Sequence, residues 1–172
     1  MELQKVALKV PVVGDVSVDQ IQTSFVNWIR DDRLNGTLVD VADYSHMHEG
    51  PTVILVAHEF ILSLDDQDGV KGLKISYRLP SDASLVSRVS DAWKTLSKAI
   101  TNLKEDIGLS VDTSSIEVTA LDRLNASEAS VLQLSEALTS SFSGIEFSVT
   151  GERDARQLPG ASFTASPALA LI

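Results

Sequence analysis

The sequence predicts an α+β domain in which a mixed, largely antiparallel sheet carries about three helices, packed mainly on one face. Two patterns lead to this prediction. Val6, Leu8, Val10 and Val12 alternate with Lys5 and Lys9, the period of a strand with one buried face. Residues 85–107 instead place apolar side chains at helical spacing, and Gly108 follows as a stop. The chain therefore contains strong signals for both kinds of element.

The remaining elements are read from the same periodicities and from turn residues. Ser17 and Gln20 have the spacing of a capping box, and the helix after them should stop at Asn35-Gly36. In chain order, the other predicted elements are strands over 37–44, 52–64 and 73–79, the long helix, a strand over 116–121, a helix over 131–142, and strands over 145–149 and 161–165.

Strand-helix-strand units thus lie near both ends of the chain. Each is long enough to close as a right-handed parallel crossover, whereas the three middle strands have short links and must be antiparallel. A mixed sheet follows from this combination. We expect a single domain over residues 1–172, with a C-terminal tail over 157–172 and a structural duplication of 3–64 and 112–166 as one interpretation of the order.

Composition excludes several classes of function. Lys and Arg total 14 against 24 Asp and Glu, so the net charge of -10 repels phosphate backbones and argues against nucleic acid as a partner. There is no cysteine, hence no disulfide or thiolate site. The start has no signal-peptide layout, and no apolar run is long enough for a bilayer. We expect a cytoplasmic protein with no membrane partner.

The tail provides the only hint of an assembly. Residues 168–172 read Ala-Leu-Ala-Leu-Ile. An apolar arm of this kind is unfavourable when left loose in water. We therefore expect it to dock on a neighbour and the protein to be a homo-oligomer.

Side chains able to bind metal are concentrated in residues 40–59, which contain all three histidines. His46 and His48 are two residues apart and would point the same way in extended backbone. Neutral imidazoles beside a carboxylate such as Glu49 suit zinc or iron. His46, His48 and Glu49 are the candidate metal ligands, although no cofactor is predicted outright.

The same segment contains the candidate ligand-binding residues, Asp40, Asp43, Tyr44, His58 and Glu59. If the strands before and after residues 45–51 pair as a hairpin, His58 lies roughly 20 Å from the loop, too far to share one metal with the other histidines. We then expect His58 to be a buried core histidine with a local partner. Asp40 and Asp43 are expected to bond nearby backbone amides.

One stretch resembles a known family. Val39-Asp40-Val41-Ala42-Asp43-Tyr44-Ser45-His46, followed by Gly50-Pro51, His58-Glu59 and Ser63-Leu64-Asp65, is similar to a segment of an uncharacterised bacterial protein family. This chain has Thr52 and Ala57 where that pattern has glycine. The resemblance implies no activity and supplies no catalytic residues.

Common catalytic signatures are missing. The sequence has no Gly-x-Ser-x-Gly, no phosphate-binding Gly-Lys-Ser/Thr loop, no dinucleotide fingerprint and no His-Glu-x-x-His. We therefore favour a non-catalytic module that forms a homo-oligomer or binds a partner, with no catalytic residue assigned. The alternative is a metal- or small-ligand-binding protein, or a metalloenzyme, that uses the segment with His46, His48 and His58. Convergence of these side chains on one cavity would favour the alternative.

Overall fold

The computed structural model describes residues 5–48, 50–77, 82–121, 130–152 and 160–172. In these ranges the α+β class is confirmed. The helices are α1 (Val18–Asp31), α2 (Leu85–Ile107) and α3 (Ser130–Ser141). The strands are β1 (Val6–Val13), β2 (Leu38–Asp43), β3 (Pro51–Ala57), β4 (Phe60–Asp65), β5 (Gly72–Tyr77), β6 (Ser110–Val111), β7 (Ser115–Ala120), β8 (Glu146–Glu152) and β9 (Gly160–Ser166). Residues 78–79 and 157–159 of the predicted elements, and Glu49, lie outside the described ranges.

All described strands join one sheet with the order β2-β3-β4-β5-β1-β7-β9-β8, and β6 pairs with the end of β1. Every pairing between described strands is antiparallel. At the centre, Leu8 of β1 is paired with Ile75 of β5 and with Val118 of β7. The largely antiparallel sheet is confirmed, but none of the described strands forms the parallel pairs that the crossovers predicted.

The pairings are antiparallel because α1 and α3 each lead the chain to an edge of the sheet rather than to the strand beside the one that precedes the helix. After β1, α1 carries the chain to the sheet edge at β2, and hairpins then return it strand by strand to β5 beside β1. After β7, α3 leads to the other edge at β8, and β9 returns between β8 and β7. Both segments share this outward and returning path, while a common origin for them stays a prediction.

A second difference from the prediction is an additional hairpin. Residues 52–64, expected to form one strand, form β3 and β4, which are joined by a turn at His58-Glu59. Val56 pairs with Ile61 on the two sides of this turn. The turn contains no Gly, Asn or Pro, the residues that usually mark a hairpin in a sequence. Four strands therefore stand where three were predicted.

The helices cover one face of the sheet. Val6, Leu8 and Val10 of β1 are fully buried in the same apolar core as the stripes of all three helices. Trp28 of α1 and Trp93 of α2 are among the largest fully buried side chains. None of the described helices combines the length and apolarity needed to cross a lipid bilayer.

The helix ends follow the predicted capping signals with one exception. The Ser17 hydroxyl accepts a hydrogen bond from the Gln20 N–H at 3.3 Å, as the capping box predicts. Gly108 ends α2 with a φ of 71°, in the left-handed region that glycine adopts without strain. By contrast, α1 ends before Asn35-Gly36, because Asp32 takes the left-handed conformation instead, with a φ of 52°.

The C-terminal tail lies on its own chain. Residues 160–166, at the start of the expected tail, form β9 between β7 and β8. Leu169 is buried, and the indole N–H of Trp93 donates to the carbonyl of Ala170 at 3.2 Å. The hydroxyl of Ser97 accepts from the N–H of Ile172 at 2.7 Å. Since α2 provides this docking surface, the apolar tail no longer indicates an oligomer.

Candidate functional site

The segment of residues 40–59, called here the histidine hairpin, has the predicted geometry. β2 and β3 pair directly, with Asp43 opposite Val53 and Leu38 opposite Ala57. His46 and His48 lie in the loop at one end of this pair, and His58 follows β3 at the other end. At 3.3 Å per residue the two groups are roughly 20 Å apart. The histidines therefore diverge along the hairpin.

The candidate metal ligands do not assemble in the described part of the chain. His46 and His48 are both solvent-exposed. The ring of Tyr44, also exposed, lies against that of His46, with centroids 6.3 Å apart. Glu49 lies outside the described ranges. Among the described residues, no group of three or more His, Cys, Asp or Glu side chains is placed to hold a metal ion.

Asp40 and Asp43 bond backbone amides, as expected. The Asp43 carboxylate accepts from the Ser45 N–H at 2.8 Å, and hydrogen bonds from Ser45 hold the pKa of Asp43 below its ordinary value. The Asp40 carboxylate accepts from the N–H of the next residue, Val41, at 2.8 Å. Both carboxylates thus organise local backbone rather than a shared site.

The prediction of a buried core His58 is wrong. β3 ends at Ala57, so His58 falls in the exposed turn, where its N–H donates to the Thr37 carbonyl at 2.8 Å. The neighbouring Glu59 carboxylate accepts from the Thr37 N–H at 3.0 Å. That hydrogen bond is the main reason the pKa of Glu59 is lowered. These two hydrogen bonds therefore connect the residue before β2 to the β3–β4 hairpin.

A buried ion pair that the sequence did not predict lies on the face of the sheet that carries none of the described helices, called here the helix-free face. Lys9 Nζ is 3.1 Å from Asp65 Oδ1, and both side chains are only 4% exposed. The same ammonium donates to the Gln67 carbonyl at 3.3 Å. A Cβ at Gly72 would lie 2.9 Å from Lys9 Cε, so glycine makes room for the lysine. The ion pair and the hydrogen bond to Gln67 link the β4–β5 turn to β1.

The same helix-free face carries apolar side chains farther towards β2. We call Ala42, Ile54, Val56 and Ile61 the apolar sheet patch; all four are partly exposed. Ala42 is paired with Ile54, and Val56 with Ile61, so the patch is continuous across β2, β3 and β4. In a two-layer fold this side of the sheet ordinarily carries polar residues.

On the helix side, the ends of α1 and α2 are joined by what we call the α1–α2 junction, formed by Trp28, Arg33, Asn102, Glu105 and Asp106. The Asp106 carboxylate accepts from the Trp28 indole N–H and from the Arg33 guanidinium, both at 2.8 Å. Arg33 also donates to Glu105 at 3.0 Å. Asn102 is buried and donates to the Arg33 carbonyl at 2.9 Å.

Beside this junction is the α1–α2 groove, with a volume of about 550 Å³. It is lined by Asp19, Gln20, Thr23, Ser24, Asn27, Asp31, Arg33, Asp106 and Ile107. The residues of α1 in this set recur at helical spacing and form a polar stripe. A search for apolar periodicity overlooks such a stripe, which is why the sequence did not predict it. Neither a protein-family model nor a curated protein matches the chain.

Proposed function

We propose that the protein is a cytoplasmic, non-catalytic module that associates with a second copy of itself through the apolar sheet patch. The observation that supports this proposal is the partial exposure of Ile54, Val56 and Ile61 on the helix-free face. These side chains are β-branched, apolar and adjacent on neighbouring strands. Covering them removes apolar surface from water, at roughly 25 cal/mol per Å².

The sheet face is a better contact surface than the β2 edge. The Tyr44 N–H donates to the Thr52 carbonyl at 2.7 Å, so along this strand the Val41 N–H points away from β3. That outward N–H is already bonded by the Asp40 carboxylate. A bulge between Leu38 and Asp40 further disturbs the edge. Both features discourage the addition of another strand.

The hydrogen bonds and positions of the candidate side chains support the non-catalytic part of the proposal. Asp40, Asp43 and Glu59 each accept a backbone N–H. His46 and His58 lie at opposite ends of β3. These residues therefore have no common substrate position.

Charge determines how association should respond to salt. Each copy carries a net charge of -10, so two copies repel at long range. Added salt screens this repulsion and leaves apolar contacts intact. Self-association through the apolar sheet patch should therefore strengthen as salt increases, whereas binding to a basic partner would weaken.

Light scattering at micromolar concentration and at low and high salt tests the proposal. The wild type should form a dimer that salt favours, and Val56→Lys should be monomeric. Val70→Lys is the matched control, because Val70 is 46% exposed in the β4–β5 loop outside the patch and the charge change is the same. Ala42→Lys provides a second patch variant if Val56→Lys unfolds. A wild type that stays monomeric at high salt, or equal effects of the patch and control variants, would contradict the proposal.

A further inference from the structure

We infer that the α1–α2 groove is a binding site for a small aliphatic polyamine, a function separate from the apolar sheet patch on the other side of the sheet. Its volume of about 550 Å³ is in the range of small-molecule sites. Among the described residues that line it, all except Ile107 are polar or charged, and their aliphatic carbons share the walls with the polar atoms. A ligand that alternates amine groups with short aliphatic links fits such walls better than a wholly apolar one.

Ser24 points to a ligand at the centre of the groove. The residue is only 5% exposed and lines the groove. Its hydroxyl makes no hydrogen bond within the described residues, and since Asp66 Oδ1 is the one fully enclosed side-chain atom there without a partner, the Ser24 oxygen is reached from the groove. A hydroxyl that opens onto a groove bonds either water or a ligand, and a ligand donor can take the place of the water. A ligand N–H in the groove would supply the missing bond.

The charges along the groove favour a cation. Three carboxylates, those of Asp19, Asp31 and Asp106, line it against one guanidinium, that of Arg33. That guanidinium is already bound by Asp106 and Glu105. The C-terminal end of α2, where the helix dipole is negative, forms one wall.

The spacing of the carboxylates selects the shape of the cation. Asp19 forms no ion pair within the described residues, and Asp31 pairs only with its neighbour Arg30. The two aspartates are twelve residues apart on α1, roughly 18 Å at 1.5 Å per residue. Gln20, Ser24 and Asn27 place neutral acceptors between them. A linear chain with several N–H groups matches this row of acceptors, since ammonium groups only donate.

Calorimetry on the full chain at low salt, with spermine as the probe, tests the inference. Asp19→Asn should weaken binding about tenfold, through loss of one charge-assisted hydrogen bond. Asp91→Asn is the matched control, because Asp91 is exposed on α2, lies outside the groove and changes the charge equally. Its affinity should equal that of the wild type.

Two further variants separate a built site from general attraction to an acidic protein. Asn27→Leu fills the groove at constant net charge and should abolish binding, and Ser24→Ala should weaken it several-fold. Thermal unfolding confirms that each variant is folded. Equal weakening by Asp19→Asn and Asp91→Asn, unchanged binding to a folded Asn27→Leu, or no binding of spermine by the wild type would overturn the inference.

Discussion

The histidine hairpin and the α1–α2 junction use similar polar side chains with opposite results. In the hairpin, histidines and carboxylates that are close in sequence end up exposed or partly exposed and spread along β3 from one end to the other. In the junction, Trp28 and Asp106, 78 residues apart in sequence, lie in direct hydrogen-bond contact. The junction is convergent and partly buried, whereas the hairpin is dispersed.

The difference comes from backbone geometry. A strand advances about 3.3 Å per residue, so polar groups spread rapidly along a hairpin. Helix ends from distant parts of the chain instead meet where their apolar faces pack, and polar residues beside those faces are brought together. Local density of reactive side chains is therefore a poor indicator of a site when the segment is extended.

The largest expected effect is at the junction. Trp28→Ala should lower the free energy of unfolding by about 3–5 kcal/mol, because it leaves a cavity and removes the hydrogen bond to Asp106. His58→Ala, in the exposed turn, should change it by less than about 0.5 kcal/mol. Urea unfolding measures both. Similar losses for the two variants would remove the contrast between the regions.

Asp106→Ala should have the next largest effect. It leaves the Trp28 N–H and the Arg33 guanidinium without their shared acceptor, so we expect a loss of about 1.5–3 kcal/mol. Asp91→Ala is the control, since its side chain is 58% exposed on the same helix. If the two substitutions prove equally mild in urea unfolding, the junction does not depend on this carboxylate.

Glu59 should make a smaller, pH-dependent contribution. Its pKa is lowered in the folded protein by the Thr37 N–H, so its stabilising effect is present above the ordinary value of 4.5 and is lost as pH falls through the folded value. Thermal unfolding of wild type and Glu59→Gln should therefore differ at pH 7, by less than about 1 kcal/mol because the site is partly solvated. The difference should vanish in acid. A gap that persists at low pH would point to a cause other than ionisation.

The smallest effect is expected in the hairpin loop. Replacing His46 and His48 together by Ala should leave the free energy of unfolding within about 0.5 kcal/mol of the wild type, because both side chains are exposed. Metal analysis of untagged protein should accompany this measurement. Stoichiometric zinc or iron that disappears in the double variant would make the hairpin a site after all.

Local signals predicted local structure well. The capping pair Ser17 and Gln20 and the apolar stripe ending at Gly108 each correspond to an observed helix end. The His58-Glu59 turn was missed because its residues carry no turn signature, and this error placed His58 in the core. Sheet order was missed because sequence periodicity shows which face of a strand is buried, not which strand lies beside it.

The Lys9–Asp65 ion pair and the polar stripe of the α1–α2 groove could not be predicted from the sequence. Lys9 and Asp65 are 56 residues apart, and nothing near either one indicates the other. The polar stripe of the α1–α2 groove lies beside the apolar residues of α1. Those apolar residues are sufficient to predict the helix, so the prediction does not depend on the stripe. Such sites depend on the assembled sheet and helices rather than on a motif.

The central place of β1 has a consequence for how the chain folds. Leu8 pairs with Ile75 on one side and with Val118 on the other. The strand at the middle of the sheet therefore cannot complete its pairing until residues far along the chain are available. Pairing over such separations is slow, and an unpaired apolar strand can aggregate in the meantime. Within β1, Lys9 and Pro11 interrupt the apolar run. We expect these two residues to reduce aggregation of the newly synthesised β1 with other chains until β5 and β7 pair with it.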